Sequence, residues 1–246
     1  MISFQETECI KLNDLIFSIY SISDFDKMRL SVMEQLRDMI YFDKADFYLS
    51  GVDGVRLENP VAVDVKPEVL RRYDEYYEQK DYIKWVFSSS KSFAYRETDL
   101  IVDEIRMETE FFKEFLIPWG IYYSMGLSIC ESGIFLGTIN FFREKKSGDF
   151  KKHDLRIMEL LSKHLSYRLF LERRSKKRFD FLNSQDARGL TVREKEIVAL
   201  VASGKSNNDI SQSENISIFT VKRHVYNIFK KLGIKSRTQL VQKFFG

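Results

Sequence analysis

The sequence predicts an α+β N-terminal domain, an antiparallel sheet flanked by helices, followed by a small all-α domain of four helices. Three observations predict it. The segments 121–132 and 133–144 are rich in β-formers and meet at Ser132-Gly133, which reads as a hairpin. Amphipathic helical stretches at 8–20, 24–40 and 149–174 stand before and after the strands, the plan of a sheet covered by helices. Beyond residue 190 the pattern turns to short helices, each started by a hydroxyl, and the charge changes sign. Residues 190–246 hold ten Lys and Arg against four Asp and Glu, a net of +6. The whole chain is +3, so residues 1–189 sum to −3.

Taken in order, ECIKLNDLIFSIY (8–20) and DFDKMRLSVMEQLRDMI (24–40) have helical periodicity, the second with Leu30, Met33, Leu36 and Ile40 on one stripe. ADFYLSG (45–51) and VRLENPVAVDV (55–65) read as strands around a turn at Asp53-Gly54, a favourable hairpin dipeptide. Pro67 opens a helix through VLRRYDEYYEQ, and 81–90 reads as a further short helix. A strand is expected within 92–100, and a helix over 107–117 that stops before Pro118. The helix 149–174 presents Ile157, Leu160, Leu161, Leu165 and Leu169. Periodicity then fades, so that the N-terminal domain is expected to span 1–175, a linker 176–189 and the second domain 190–246.

In the second domain four helices are expected near 191–203, 206–213, 217–232 and 236–245. Thr191 with Glu194 and Ser236 with Gln239 make capping boxes, and Ser206 with Asp209 and Ser217 with Thr220 make weaker versions. Gly204 and Gly233 stand just past two helix ends, where a left-handed residue is wanted. Val221, Val225, Ile228, Phe229 and Leu232 fall on one stripe of the third helix, and Lys222, Arg223, Tyr226, Asn227 and Lys230 on the other. The second and third helices, joined around Glu214–Ile216, form a helix-turn-helix.

This string resembles the DNA-binding domain of LuxR-type transcriptional regulators. The likeness is carried by Leu190-Thr191, Arg193-Glu194, Glu196, Gly204, Ser206-Asn207, Ile210, Ile216-Ser217, Thr220-Val221-Lys222, His224, Asn227-Ile228, Lys231-Leu232 and Arg237-Thr238, and covers about a quarter of the chain. The chain departs from the family pattern at Val192, where Pro is usual, at Ser211 and Glu214 on the scaffold helix, and at Phe219. The resemblance implies a dimer that binds double-stranded DNA, with base-edge contacts from Lys222, Arg223 and Tyr226. Phosphate contacts are expected from Thr191, Ser206, Asn207, Ser217, Thr220, Lys230 and Arg237. It also suggests the last helix as a dimer contact through Leu240, Val241, Phe244 and Phe245; the same residues would serve equally to close the domain's own core. The long helix 149–174 is a second candidate dimer surface.

The N-terminal plan is similar to sensor domains of GAF or PAS type and to the autoinducer-binding domains joined to the same DNA module. A small-molecule site there would draw on Tyr73, Tyr77, Asp81, Trp85, Tyr95, Trp119 and Tyr123, with Phe93, Phe135 and Phe141 as further lining. Tyr73, Tyr77, Asp81 and Trp85 follow the autoinducer pattern of aromatics and an acid only loosely. An aromatic core needs no ligand, so a domain that only dimerises or binds a protein partner, giving a constitutive or partner-controlled regulator, is the alternative.

Other functions find little support in the sequence. No Gly-rich phosphate loop, nucleophile elbow or Cys/His cluster is present, which argues against an enzyme and against a cofactor. His153, His164 and His224 are widely spaced, which argues against a metal site. Two cysteines, Cys9 and Cys130, make no disulfide framework and suit a reducing cytoplasm. The opening MISFQETECIKLND has acids where a signal peptide carries a basic flank, and no apolar run approaches membrane-span length, so a cytoplasmic regulator is expected.

Overall fold

The computed structural model of the chain describes residues 4–51 and 56–245. It divides into two compact units, Met1–Phe170 and Leu171–Gly246.

The first unit opens with helices α1 (Glu6–Ser21) and α2 (Phe25–Leu36). Asp24 caps α2 by accepting from the Lys27 N–H at 3.0 Å. The helix stops at Leu36, short of the expected end, although Ile40 stays buried in the turn beyond. Strands β1 (Lys44–Ser50) and β2 (Leu57–Val63) pair antiparallel. The expected turn at Asp53-Gly54 lies outside the described residues. Helix α3 (Pro67–Glu75) begins on its proline, and 3₁₀ turns follow at Tyr77–Gln79 and Lys84–Ser88. Strand β3 (Phe93–Arg96) runs into the single-turn helices α4 (Glu97–Leu100) and α5 (Asp103–Arg106).

The helix expected over 107–117 is instead a π-helical turn, Phe111–Leu116, followed by a 3₁₀ turn containing Pro118. A π turn is wider than an α turn and is common beside functional sites. Strands β4 (Tyr123–Glu131) and β5 (Ile134–Arg143) form the expected hairpin, with Ser132 and Gly133 both at positive φ (53° and 78°), the signature of a type I′ turn. Helix α6 (Lys152–Asn183) continues through the first part of the segment expected as linker; its polar composition from residue 176 suits an exposed helix as well as a loop.

The sheet order is β2-β1-β5-β4-β3, with every neighbouring pair antiparallel. Alternation gives its two faces different characters. Phe47, Ile139, Leu127 and Ala94 share one row and pack with Leu15, Met28, Met33, Ile157, Leu161 and Leu165 of the helices into a hydrocarbon core. Of the apolar residues predicted for α6, Leu160 alone is exposed. Arg29 joins α2 to the sheet: fully buried, it donates to the carbonyls of Phe47 (2.9 Å) and Asn59 (2.7 Å) and to the Asp26 carboxylate (2.6 Å). The other face carries the next row, Asp46, Asn140, Gly126 and Tyr95, beneath α3, the π turn and the 3₁₀ turns.

The second unit holds the C-terminal part of α6, then α7 (Val192–Ala202), α8 (Asn207–Ser213), α9 (Ile218–Leu232) and α10 (Arg237–Phe245). Four short helices follow the linker region, and the expected fold class holds for both units. Val198, Ile210, Val221, Ile228, Leu232 and Leu240 make the core. Phe181 packs against Phe244 with ring centroids 5.2 Å apart and the rings tilted by 58°. Leu240 and Phe244 are thus buried within their own domain, which removes them as a dimer surface; Val241 is half-buried. Among the described residues no helix is long and apolar enough to cross a membrane.

Candidate nucleic-acid interface and ligand cavity

Helix caps set the C-terminal surface. Thr191 accepts from the Glu194 N–H (3.2 Å) while the Glu194 carboxylate accepts from the Thr191 N–H (2.8 Å). Ser206 and Asp209 make the same reciprocal pair, at 3.2 and 2.8 Å, so this box is complete where the sequence suggested a weaker one. Ser217 accepts from the Thr220 N–H at 3.1 Å, and the two hydroxyls lie 2.8 Å apart. Ser236 accepts from the Gln239 N–H at 3.1 Å, but the Gln239 side chain turns to the Lys235 N–H (2.7 Å) and leaves that box half formed. The α8–α9 turn needs a left-handed residue, which Asn215 supplies at φ 51°. Gly233 ends α9 at φ 64°.

Glu194 also ties α7 to α9. Its buried carboxylate lies 2.6 Å from the Lys231 ammonium. Burial acts to raise its pKa, but Lys231 and the Thr191 N–H outweigh that and hold it below the usual range. Glu214, which departs from the family pattern, does not enter the core: it pairs with Arg193 at 2.7 Å.

On α9, Val221, Ile228 and Leu232 are buried, and Val225 and Phe229 are half-buried against the same core. Lys222, Arg223, Tyr226 and Lys230 are all exposed, Tyr226 to 67%. Ser217, Ser206 and Thr191 are exposed, and Thr220 and Asn207 half-buried. The structure brings Lys222, Arg223 and Tyr226 onto one outward face with Phe219, 81% exposed, one turn before Arg223. Arg237 is different: half-buried, it donates to the carbonyls of Val201 (3.2 Å) and Lys205, so it braces the end of α7 against the start of α10.

In the first unit a cavity of about 70 Å³ lies on the polar face of the sheet. Of the residues expected at a ligand site, Tyr73, Asp81 and Tyr95 line it. Tyr77 is buried beside it, packed on Phe115 at 4.7 Å between ring centroids. Trp85 points to solvent (57% exposed), because the 3₁₀ turn that carries it turns Val86 and Phe87 inward instead. Trp119 and Tyr123 are half-buried and stand outside the lining, as does Phe93. Phe135 stacks on Phe87, and Phe141 belongs to the hydrocarbon core on the opposite face.

Lining groups the sequence reading missed are Asp46, Tyr48, Glu97 and Asn140. Tyr95 donates to the Asn140 amide oxygen (3.2 Å), and the Asn140 amide nitrogen donates to Asp46 (2.7 Å). Burial pushes the Asp46 carboxyl up to about 7; the Asn140 hydrogen bond opposes this, and the charges of Asp74 and Asp81 add to it. Tyr73 donates to Asp81 at 2.8 Å, and the Ile83 N–H donates to the other oxygen at 2.9 Å. Burial pushes Asp81 up to about 6 against those two bonds. Glu97 accepts from Tyr82 and Ser124 and lies 3.5 Å from the fully buried Arg106. The Tyr48 hydroxyl is buried; it makes no hydrogen bond of full geometry among the described residues, and the carboxylate that interacts with it is Asp74 of α3.

Comparison with known proteins agrees with the geometry of the C-terminal unit. Residues 188–244 match the family described as bacterial regulatory proteins, luxR family. The CsgBAC operon transcriptional regulatory protein of Escherichia coli K12 is 52% identical over 59 residues, 24% of this chain and 27% of that protein. The response regulator protein VraR of Staphylococcus aureus is 52% identical over 52 residues, 21% of this chain and 25% of that one. The chain therefore spans about a quarter of the length of the curated relatives it matches. A structure of SdiA in complex with octanoyl-rac-glycerol superposes with a TM-score of 0.52 at 16% identity, over 98% of this chain and 96% of that one. At that identity the likeness shows the fold. Residues 188–244 are a helix-turn-helix domain of the LuxR family.

Proposed function

We propose that this chain is a sequence-specific DNA-binding transcriptional regulator that places α9 in the major groove as part of a dimer and is modulated through its N-terminal domain. The observation that carries this reading is the division of α9: Val221, Ile228 and Leu232 are buried while Lys222, Arg223, Tyr226 and Lys230 are exposed together, within a LuxR-family domain. A helix so anchored offers cations and a phenol to a groove that admits an α-helix.

Roles follow from placement. Lys222 and Arg223, in the first half of α9, reach guanine O6 and N7, and Tyr226, one turn on, meets a thymine methyl or a phosphate. Ser217, Thr220, Ser206, Asn207 and Thr191 sit at helix N-termini, where hydroxyls and free N–H groups face phosphates, and Lys230 adds charge. Arg237 acts from behind, by fixing the ends of α7 and α10. One recognition helix covers few base pairs, so a dimer is required for a long site. Exposed Ile10, Phe17 (70%) and Tyr20 on α1, beside Leu160 and Tyr167 on α6, form the apolar surface best suited to it. Tyr20 and His164, hydrogen-bonded at 3.1 Å, show that these two helices adjoin there.

The test is selection of duplexes from a random library by the full chain, then titration of the winner. A motif of two half-sites about 10 base pairs apart is expected, with tight binding lost in Lys222→Ala and Arg223→Ala. No enrichment, or unchanged affinity in both variants, would overturn the reading.

A further inference from the structure

We propose that the cavity on the polar face of the sheet is a binding site for a small organic amine, its ammonium held between Asp46 and Asp81 and its short apolar body held by the ring-lined wall. This rests on the reading of the N-terminal domain as the regulator's modulating part and gives that part a ligand class.

The lining has an excess of hydrogen-bond acceptors. Among the described residues it includes three carboxyl groups, Asp46, Asp81 and Glu97, and no Lys, Arg or His. The donors nearby are already engaged: Tyr73 with Asp81, Tyr95 with Asn140, Tyr82 and Ser124 with Glu97. Glu97 further has Arg106 beside it, which leaves Asp46 and Asp81 as the carboxylates without a cation at bonding distance among the described residues. A ligand rich in carbonyls would find few donors there. An ammonium, with three N–H groups and no acceptor, meets the opposite need.

A second observation points the same way. The Tyr48 hydroxyl lines the cavity and is buried; among the described residues it makes no hydrogen bond of full geometry, and the group that interacts with it, the Asp74 carboxylate of α3, can only accept, so nothing donates to its oxygen. A buried hydroxyl with its bonding incomplete is costly, and such groups in native proteins call for an explanation. An ammonium donating to the Tyr48 oxygen as well as to Asp46 and Asp81 supplies it. Tyr73, Phe111 and Phe115 also line the cavity, and aromatic rings favour a cation by their quadrupoles. Phe111 and Phe115 are put there by the π turn. Leu57, Val69 and Leu70 complete an apolar side for the body of the molecule. At about 70 Å³ the cavity has room for several water-sized groups, so the ligand is compact.

Charged neighbours set the pH behaviour. Asp46 is faced by Asp74 of α3 and by Asp81, and Asp81 by Glu97 of α4 and by Lys84. Both carboxyls must ionise to hold a cation, and both ionise near neutrality.

The experiment uses the full chain and 2-phenylethylamine, with 2-phenylethanol as its uncharged isostere and octanoyl-rac-glycerol as a neutral lipid probe. Binding is read by calorimetry and by the melting temperature of the N-terminal transition. The amine is expected to bind at about pH 8 and to raise that transition, with the alcohol at least about tenfold weaker. Affinity should fall roughly a hundredfold on going to about pH 5.5, where the amine is still cationic and both carboxyls take up protons. Asp81→Asn should remove the preference for amine over alcohol, and Tyr48→Phe should weaken amine binding while keeping that preference. Equal binding of alcohol and amine, binding of octanoyl-rac-glycerol alone, or no binding by a folded wild-type chain would each overturn the proposal. Titration of the same preparation on its selected duplex reads the DNA function separately, so a failed ligand and a failed regulator give different results.

Discussion

The Tyr95 hydroxyl reaches across β4 to the amide oxygen of Asn140 on β5, 3.2 Å away, and it can do so because Gly126, the residue between them, has no side chain. A Cβ built on Gly126 would lie 2.5 Å from the Tyr95 oxygen and 2.7 Å from the Asn140 amide oxygen. The row Asp46–Asn140–Gly126–Tyr95 is therefore one hydrogen-bonded strip with a gap that the chemistry requires.

Gly126→Ala should accordingly break the strip. The added methyl must push Tyr95 and Asn140 apart, at a cost of about 1–3 kcal/mol. Calorimetry of the full chain should show the N-terminal transition lowered and the C-terminal one unmoved. An unchanged N-terminal transition would mean that Tyr95 moves aside freely.

Asp46→Asn should stabilise the ligand-free N-terminal domain at about pH 8 and do little at about pH 4. The sign follows from the raised carboxyl. With a folded pKa of about 7 against an ordinary 3.8, the folded domain holds a proton that the unfolded chain has released, so Asp46 makes stability fall as pH rises from near 4 to near 7. Above that window the buried charge is a fixed penalty, roughly 1–4 kcal/mol, which the neutral amide avoids. Denaturant midpoints across pH for both proteins decide it.

Glu194→Gln should act in the opposite sense on the C-terminal domain. Its folded pKa is lowered, so its contribution is full above the ordinary carboxyl range and disappears as pH falls through the folded value. The variant loses the charge facing Lys231 and should cost about 1–3 kcal/mol at neutral pH, with the gap to wild type closing in acid. Thermal unfolding followed by helix signal at several pH values tests this.

Arg223→Ala and Lys230→Ala should separate base reading from charge. The first should cost about 1–3 kcal/mol on the selected duplex and relax preference at one base position. Lys230→Ala should weaken specific and random duplexes alike and make the salt dependence shallower by about one ion. Identical profiles for the two variants would show that neither reads a base.

The C-terminal helices were legible because their signals are local. Thr191 with Glu194, Ser217 with Thr220 and the glycine at 233 state their role within four residues of the bond they make. Even there the sequence undervalued Ser206 with Asp209, since Asp is shorter than the usual Glu yet reaches the Ser206 N–H at 2.8 Å. In the N-terminal domain the β4–β5 hairpin was visible, but the position of Trp85 was not, because a 3₁₀ turn has a different period from the helix expected over 81–90. The π turn was hidden for the same reason: FFKEFL is apolar enough for any helical geometry.

Half of the cavity escaped the sequence reading. Tyr73 and Asp81 were found as an aromatic and an acid close together, whereas Asp46 and Asn140 are 94 residues apart and meet through strand register. A usable signal did exist. In ADFYL and GTINF the apolar positions alternate with Asp46, Tyr48, Thr138 and Asn140, and a strand central to a sheet that keeps polar residues on one face has something on that face to bond.

The alternation also bears on how this domain can change over generations. Phe47, Leu127 and Ile139 answer to the helices, while Asp46, Tyr48, Tyr95 and Asn140 answer to the cavity, and the two sets interleave without sharing a member. Substitutions at the second set can retune what is recognised while the first set keeps the domain folded. Divergence among sister proteins of this architecture should therefore run in a two-residue rhythm along β1 and β5, with a change of taste written on every other position.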